Sequence, residues 1–131
     1  MRIKDLKDAP EWLKAAKTEN EDVEIVDGRV IWHNGTWYRG DWLGGTWRGG
    51  DWHGGDWLGG TWRGGDWRGG NWHSGAWRGG EWHNGIWHNG AWRGGAWHNG
   101  TWRGGNWHNG TWHNGTWIGG NWRGGNWRGG N

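Results

Sequence analysis

The sequence predicts an all-β protein, a β-solenoid of five-residue units with one short helix over its amino end. Three observations carry that expectation. Trp recurs at every fifth position from Trp32 to Trp127, giving twenty consecutive units. Gly stands two residues before each of those Trp except Trp32, where Val30 takes its place. The 131 residues contain 33 Gly and 21 Trp, with no Phe and a single Pro, which is not the composition of an ordinary globular chain. A polar, Gly-rich tract on its own would stay disordered. Each buried indole, however, removes roughly 150–250 Å² from water, on the order of 4–6 kcal/mol per ring, and the Trp content therefore favours an ordered core.

The chain divides into a cap, residues 1–29, and a repeat region, residues 30–131. In the cap, "DAPEWLKAAK" reads as a helix over about 9–17: Asp8 caps it, Pro10 suits the first turn, and Glu11 completes a capping box. Trp12, Leu13 and Ala16 then share one face. "EDVEIVDGRVIW" follows as short extended segments, with alternating Val23 and Ile25 and a turn at Asp27-Gly28.

Each later unit reads x-Trp-y-z-Gly, where x is mostly Asp, Asn, Thr or Ala, y is mostly Arg or His, and z is mostly Gly or Asn. An α-helix would scatter such Trp around its whole circumference, and an unbroken strand would send them to alternate faces. A short strand followed by a corner, repeated, fits the period. Alternation within x-Trp-y turns Trp inward and both neighbours outward, while z-Gly supplies residues that tolerate positive φ at the corner. Val30 sits where alternation also points inward, and an apolar side chain suits that place where a neighbouring unit is missing.

Residues 30–131 thereby resemble the pentapeptide-repeat proteins, whose unit is a small residue, then Asp or Asn, then a large central residue and two freer positions. Gly is the small residue here, and Asp41, Asp51, Asp56, Asp66, Asn71, Asn106, Asn121 and Asn126 fill the second position. Trp replaces the Leu or Phe usual at the centre. The resemblance implies a right-handed quadrilateral β-helix with four five-residue faces per coil. The tract is also similar to Trp/Gly-rich repeat proteins of bacteria and their phages that open with a "PEWL"-like helix, mostly without an assigned function.

Coil size is open between two readings. Like residues recur three units apart (Thr46 with Thr61, Asp51 with Asp66, Leu43 with Leu58, and Arg48, Arg63, Arg78 and Arg93), which suggests triangular coils of 15 residues. Such coils would set Asp41 against Asp56, and Asp51, Asp66 and Glu81 one upon another, which is unfavourable for like charges. Coils of 20 residues avoid every acid-on-acid contact and give each indole more interior. The expectation is therefore a quadrilateral solenoid of about five coils, with the triangular form as the alternative.

The surface points to binding or structure more than to chemistry. Catalysis needs groups converging on a concave site, and a convex solenoid offers flat ladders, so no catalytic or cofactor-binding residues are assigned and no enzyme is expected. The repeated "GG" is corner punctuation and not a phosphate loop. There is no Cys, which removes disulfides and thiolate metal sites. In square coils His33, His53 and His73 would form one column and His88 with His108 another, making these the candidate metal ligands. The exposed-ring reading, with Trp stacking on sugars or bases, conflicts with burial of the rings.

Charge and termini suggest partners. Net charge is +2, and the acids all lie before residue 82, leaving Arg93, Arg103, Arg123 and Arg128 beyond it. An anionic partner such as nucleic acid is one possibility. Some pentapeptide-repeat proteins mimic DNA and engage topoisomerases through acidic surfaces, a pattern from which this chain departs. The last coil, with Trp122, Arg123, Trp127, Arg128 and Asn131, is expected to leave rings and a strand edge uncovered, so a homodimer or docking on another protein is expected there. Neither a signal peptide nor a membrane span is recognisable, and a cytoplasmic or virion-associated protein is expected.

Overall fold

The computed structural model describes residues 1–131. After a 3-10 turn at Ile3–Asp5 comes helix α1 (Glu11–Ala15), then strands β1 (Lys17–Val26) and β2 (Arg29–Arg39), paired antiparallel. Eighteen two-residue strands follow, each consisting of x and Trp of one unit, from Asp41–Trp42 to Asn126–Trp127. All pair in parallel, and the chain is an all-β solenoid of about six turns.

The coil has three sides. Each strand pairs with those fifteen residues before and after it: Thr61 with Thr46 and Ala76, Asp66 with Asp51 and Glu81, and Ile86 with Asn71 and Thr101. The expected 20-residue quadrilateral coil is corrected to the 15-residue triangular alternative. Strand β2 starts two faces at once, since Ile31 pairs with Thr46 and Thr36 with Asp51. The first face carries the Trp32, Trp47, Trp62 column, the second the Trp37, Trp52, Trp67 column, and the third the Trp42, Trp57, Trp72 column.

Indole packing explains the triangle. Trp82 stacks on Trp67 and Trp97, with centroids at 4.8 and 4.6 Å and planes within 7°. It meets Trp77 and Trp87 edge-on, at 5.8 Å and 71–73°. The stacking distance matches the spacing of about 4.7–4.9 Å between neighbouring strands, so one repeat satisfies backbone and ring together. Three flat plates set edge to face close a triangular interior; a fourth side would open a void at the axis, which close-packed interiors avoid. Every Trp from Trp32 to Trp112 is fully buried. Trp77, Trp87 and Trp112 donate from Nε1 to the carbonyls of Gly94, Gly104 and Gly129 at 3.1 Å. The other buried indole N–H groups all lack a partner, a cost the ring contacts must outweigh.

The feared acid stacks do occur, and a diagonal neighbour relieves them. Asp51 lies within 3.9 Å of Arg68, Asp66 within 3.5 Å of His83, Glu81 within 3.3 Å of His98, and Asp56 within 3.7 Å of His73. Each partner is the y residue one coil on. Asn71 also donates to Asp56 at 3.0 Å. Unit charges this far apart in water repel by about 1 kcal/mol, whereas each aromatic pair adds about 0.5–1.5 kcal/mol beyond burial. Every coil adds several such pairs, so the core decides the coil size.

The corner glycine is constrained twice. From Gly35 to Gly125 the corner φ lies between 102° and 129°, a region closed to L side chains. Its carbonyl accepts the x N–H of the next coil, as Gly50 accepts from Asp66 at 3.0 Å. A Cβ at any corner from Gly50 onward would strike the corner carbonyl of the coil before. The z residue, by contrast, never has positive φ, a correction to the expectation that both corner residues need it. This is why z accepts Asn: Asn84 and Asn89 side chains take the Gly85 and Gly90 N–H at 2.9 Å.

At the amino end, α1 is shorter than the expected 9–17. Its N-cap is Pro10, with no side-chain cap, so the Asp8 capping box does not form. Trp12 nevertheless lies edge-on to Trp42 at 5.1 Å, covering the start of the third column, and Leu13, Val23 and Val30 are buried around it. The Asp27-Gly28 turn has positive φ at both residues, 51° and 76°, as a two-residue hairpin turn requires. Buried Glu21 ties the amino segment down, accepting from Ile3 N at 2.9 Å and Thr18 Oγ1 at 3.1 Å, with Arg2 Nε at 3.2 Å. Burial opposes its charge, yet these bonds hold its carboxyl below the usual range.

Two expectations follow. Trp82→Ala should destabilise by roughly 3–5 kcal/mol in chemical denaturation, through lost contacts and a cavity; a variant as stable as the parent would contradict the stacked core. Gly85→Val should abolish or severely impair folding, whereas His83→Ala should cost less than about 1 kcal/mol, because the first meets the Gly70 carbonyl and the second leaves only an exposed pair. Circular dichroism and melting of the two variants separate these outcomes.

Candidate functional site

With the rings inside, chemistry is confined to x, y and z, and each face carries a different set. The backbone bonds that hold the y columns are short and regular: Arg63 N to Trp47 O is 2.7 Å, and Arg78 N to Trp62 O and Arg93 N to Trp77 O are 2.8 Å. Each y side chain is thus repeated about 4.8 Å further along the axis.

On the first face the y column runs His33, Arg48, Arg63, Arg78, Arg93, His108, Arg123, beside an x column of Ile31, Thr46, Thr61, Ala76, Ala91, Asn106 and Asn121. The four consecutive Arg are exposed, none forms an ion pair, and no strand of this face after β2 contributes an acid. On the second face Asp51, Asp66 and Glu81 line up beside Arg68, His83, His98 and His113. The third face carries Leu43, Leu58, His73, His88, Arg103 and Ile118.

The predicted His columns are corrected accordingly. His33 and His108 lie at opposite ends of the first face, His53 is on the second, and only His73 and His88 of the five candidates meet. Their rings stack at 4.9 Å and 3°, as His83, His98 and His113 also do at 4.9–5.1 Å. Parallel stacking aims the ring nitrogens alongside one another and not at a common point. No group of three or more His, Asp or Glu is placed to hold a metal ion. The second-face His stack was missed by the 20-residue register, although its fifteen-residue spacing was visible in the sequence.

The largest depression, about 830 Å³, is an open cleft between the amino segment and the hairpin, lined by Leu6, Asp22, Glu24, Ile25 and His33 among others. There His33 Nε2 lies 2.7 Å from Glu24 Oε1, an exposed hydrogen-bonded contact. The Met1 amino group sits 2.5 Å from Asp22 and holds its carboxyl below the usual range. Nearby, Tyr38 donates to Glu19 at 2.8 Å, which pushes its phenol up.

At the carboxyl end, Trp117 and Trp122 are half-buried and Trp127 is 41% exposed. Arg123, Arg128 and Asn131 surround them. Asn131 also pairs with the third face, donating to Gly115 and accepting from Trp117 at 2.9 and 3.1 Å.

No protein-family model, curated protein or solved structure matches this chain. The surface columns must therefore be read for what their own chemistry can do. The first face carries a line of unpaired guanidinium groups, the second a column of acids beside a column of Arg and imidazole, and the third a strip in which Leu43, Leu58 and Ile118 stand with His73, His88, Asp41, Asp56 and Arg103.

One titration is predictable. Burial lowers the pKa of His88 from the ordinary 6.5, the neighbouring His73 and Arg103 lower it further, and Asp56 opposes them. A base whose pKa falls on folding binds its proton more readily in the unfolded chain. Its contribution is therefore intact above the unfolded value and is lost as pH drops through the folded one. His88→Gln should show a smaller fall in melting temperature than the parent between about pH 7.5 and 5. An equal fall would place the acid sensitivity elsewhere.

Proposed function

We propose that the protein is a non-enzymatic rigid rod, a spacer or interaction scaffold of the kind used in a bacterial or phage assembly. The observation that carries this reading is continuity: three unbroken columns of face-stacked indoles run from the hairpin to the last coil. Each coil is also hydrogen-bonded to the next through both its x and its y N–H groups. Such a body transmits position along one axis and presents fixed ladders on its faces. The five-residue unit with an inward central residue supports kinship with pentapeptide-repeat proteins at the level of the unit, though with three units per coil and not four.

Partners reach the rod through the coil of Trp117, Trp122 and Trp127. These rings meet one another edge-on at 5.4–6.2 Å and present an apolar patch beside the edges of parallel strands. A second copy is the occupant of choice, because an isologous contact closes on itself and leaves no further edge. Arg123 and Arg128 oppose that contact unless Asn121, Asn126 or Asn131 lies between them. Light scattering at micromolar concentration should find an elongated dimer, and Trp127→Asp should find a monomer. A parent protein that stays monomeric would overturn the dimer and favour docking of a different protein.

A further inference from the structure

We infer that the first face is a binding track for the phosphodiester backbone of nucleic acid, sequence-independent and centred on Arg48, Arg63, Arg78 and Arg93. This goes beyond the scaffold reading and does not depend on it. The coil register creates the track. A five-residue repeat alone does not say which side chains are neighbours, and a 20-residue coil would place these four Arg on four different faces. The fifteen-residue register puts them in one straight line, one per strand.

Three features distinguish this column from ordinary surface charge. On the second face, Arg68 lies beside Asp51, whereas none of the four track Arg has a carboxylate within ion-pair distance. Guanidinium groups repeated about 4.8 Å apart repel one another, and nothing on the face offsets that repulsion; an external anion would. Beside the Arg, the x column is small and neutral, Thr46, Thr61, Ala76 and Ala91, all half-buried. A chain of phosphates can approach that floor closely, with threonine hydroxyls as additional donors. Arg123 and His108 extend the line toward the carboxyl end.

The chemistry of the column selects the ligand. Arg presents a planar fork of donors that matches phosphate oxygens in pairs. A linear array requires a linear polyanion, and a rigid one cannot wrap a compact acidic surface. The indoles beside the four Arg, Trp47, Trp62, Trp77 and Trp92, are fully buried and cannot stack on bases, and no Asn or Gln lies in the y column to read base edges. The track therefore holds backbone and ignores sequence.

Fluorescence anisotropy with labelled mixed-sequence oligonucleotides, duplex and single-stranded, tests the assignment. Four phosphate contacts predict a slope of log K against log salt of about −3.6 for duplex and about −2.8 for single strands. Duplex affinity should accordingly fall roughly 10²-fold between 50 and 200 mM salt, and the two slopes distinguish the forms of nucleic acid. Arg63→Gln with Arg78→Gln should reduce the slope magnitude by about 2, and Arg48→Gln with Arg93→Gln should do the same. Replacing Arg63 and Arg78 by Lys should retain the slope. The control pair Arg68→Gln with Arg103→Gln removes the same charge from the other two faces and should leave the slope unchanged. Near-UV circular dichroism of the indole columns confirms the fold of each variant. No binding at 50 mM salt, or equal losses in the track and control pairs, would overturn the proposal. Displacement by poly-glutamate at equal charge concentration would show a track for acidic protein and overturn it as well.

Discussion

Two distances coincide in this protein, and the rest of its structure depends on that coincidence. Hydrogen-bonded parallel strands sit about 4.7–4.9 Å apart, and the indoles they carry stack at 4.6–5.0 Å. Neither the backbone nor the ring has to yield to the other. A bulky aliphatic side chain would fill similar volume, but it would lack the flat faces that let one coil lie on the next without interdigitation. The edge-on contact within a coil then sets the number of sides. Each ring presents its positive edge to the negative face of its neighbour, and three such plates close upon themselves.

Glycine follows from the same constraint. Coils this close leave no space at the corner for a Cβ, because the corner carbonyl of the coil before already receives a backbone hydrogen bond there. The corner is thus Gly for two independent reasons, its φ and its neighbour, and either alone would exclude substitution. The z position is freer on both counts. Its φ is not positive. At the z glycines from Gly49 onward a Cβ would lie 3.1–3.9 Å from the y carbonyl of the previous coil, where a Cβ at the corner would strike a carbonyl, and Asn, Ser or Arg appears at z in place of Gly. A unit that looks like a sequence of free and fixed letters is therefore a map of where the next coil presses.

Much of this was legible before any coordinates. The inward Trp, the outward x and y, the Gly corner and the Asp27-Gly28 turn all follow from alternation and from which residues tolerate positive φ. Coil size did not follow, although the sequence contained the answer: Thr46 over Thr61, Asp51 over Asp66 and the Arg column are the stacking itself. Repulsion between stacked acids argues against this register only if each acid faces its own column alone. The structure supplies a diagonal partner, His83 for Asp66 and His98 for Glu81, one coil on. Such a pair is invisible until the register is known, because it joins residues seventeen apart. The helix forms where expected but shorter and without its capping box, for a simpler reason: five residues docked by Trp12 and Leu13 need no side-chain cap, since tertiary contact holds them.

The error in register also hid the surface chemistry. With four sides, Arg48, Arg63, Arg78 and Arg93 would fall on four different faces, while His33, His53 and His73 would share one. With three, the same residues separate into a basic face, a face of acids beside imidazoles, and a third that mixes aliphatic side chains with His73, His88, Asp41, Asp56 and Arg103. That separation costs the fold nothing in its core, because the rings are identical behind all three faces and the backbone bonds take no account of side chains. Selection could therefore alter one column without touching stability elsewhere, a freedom that a conventional core does not offer. The four Arg of the first face stand in line without a carboxylate partner, while each acid of the second face has a diagonal one; an anionic chain lying along the rod would offset the first arrangement as those partners offset the second.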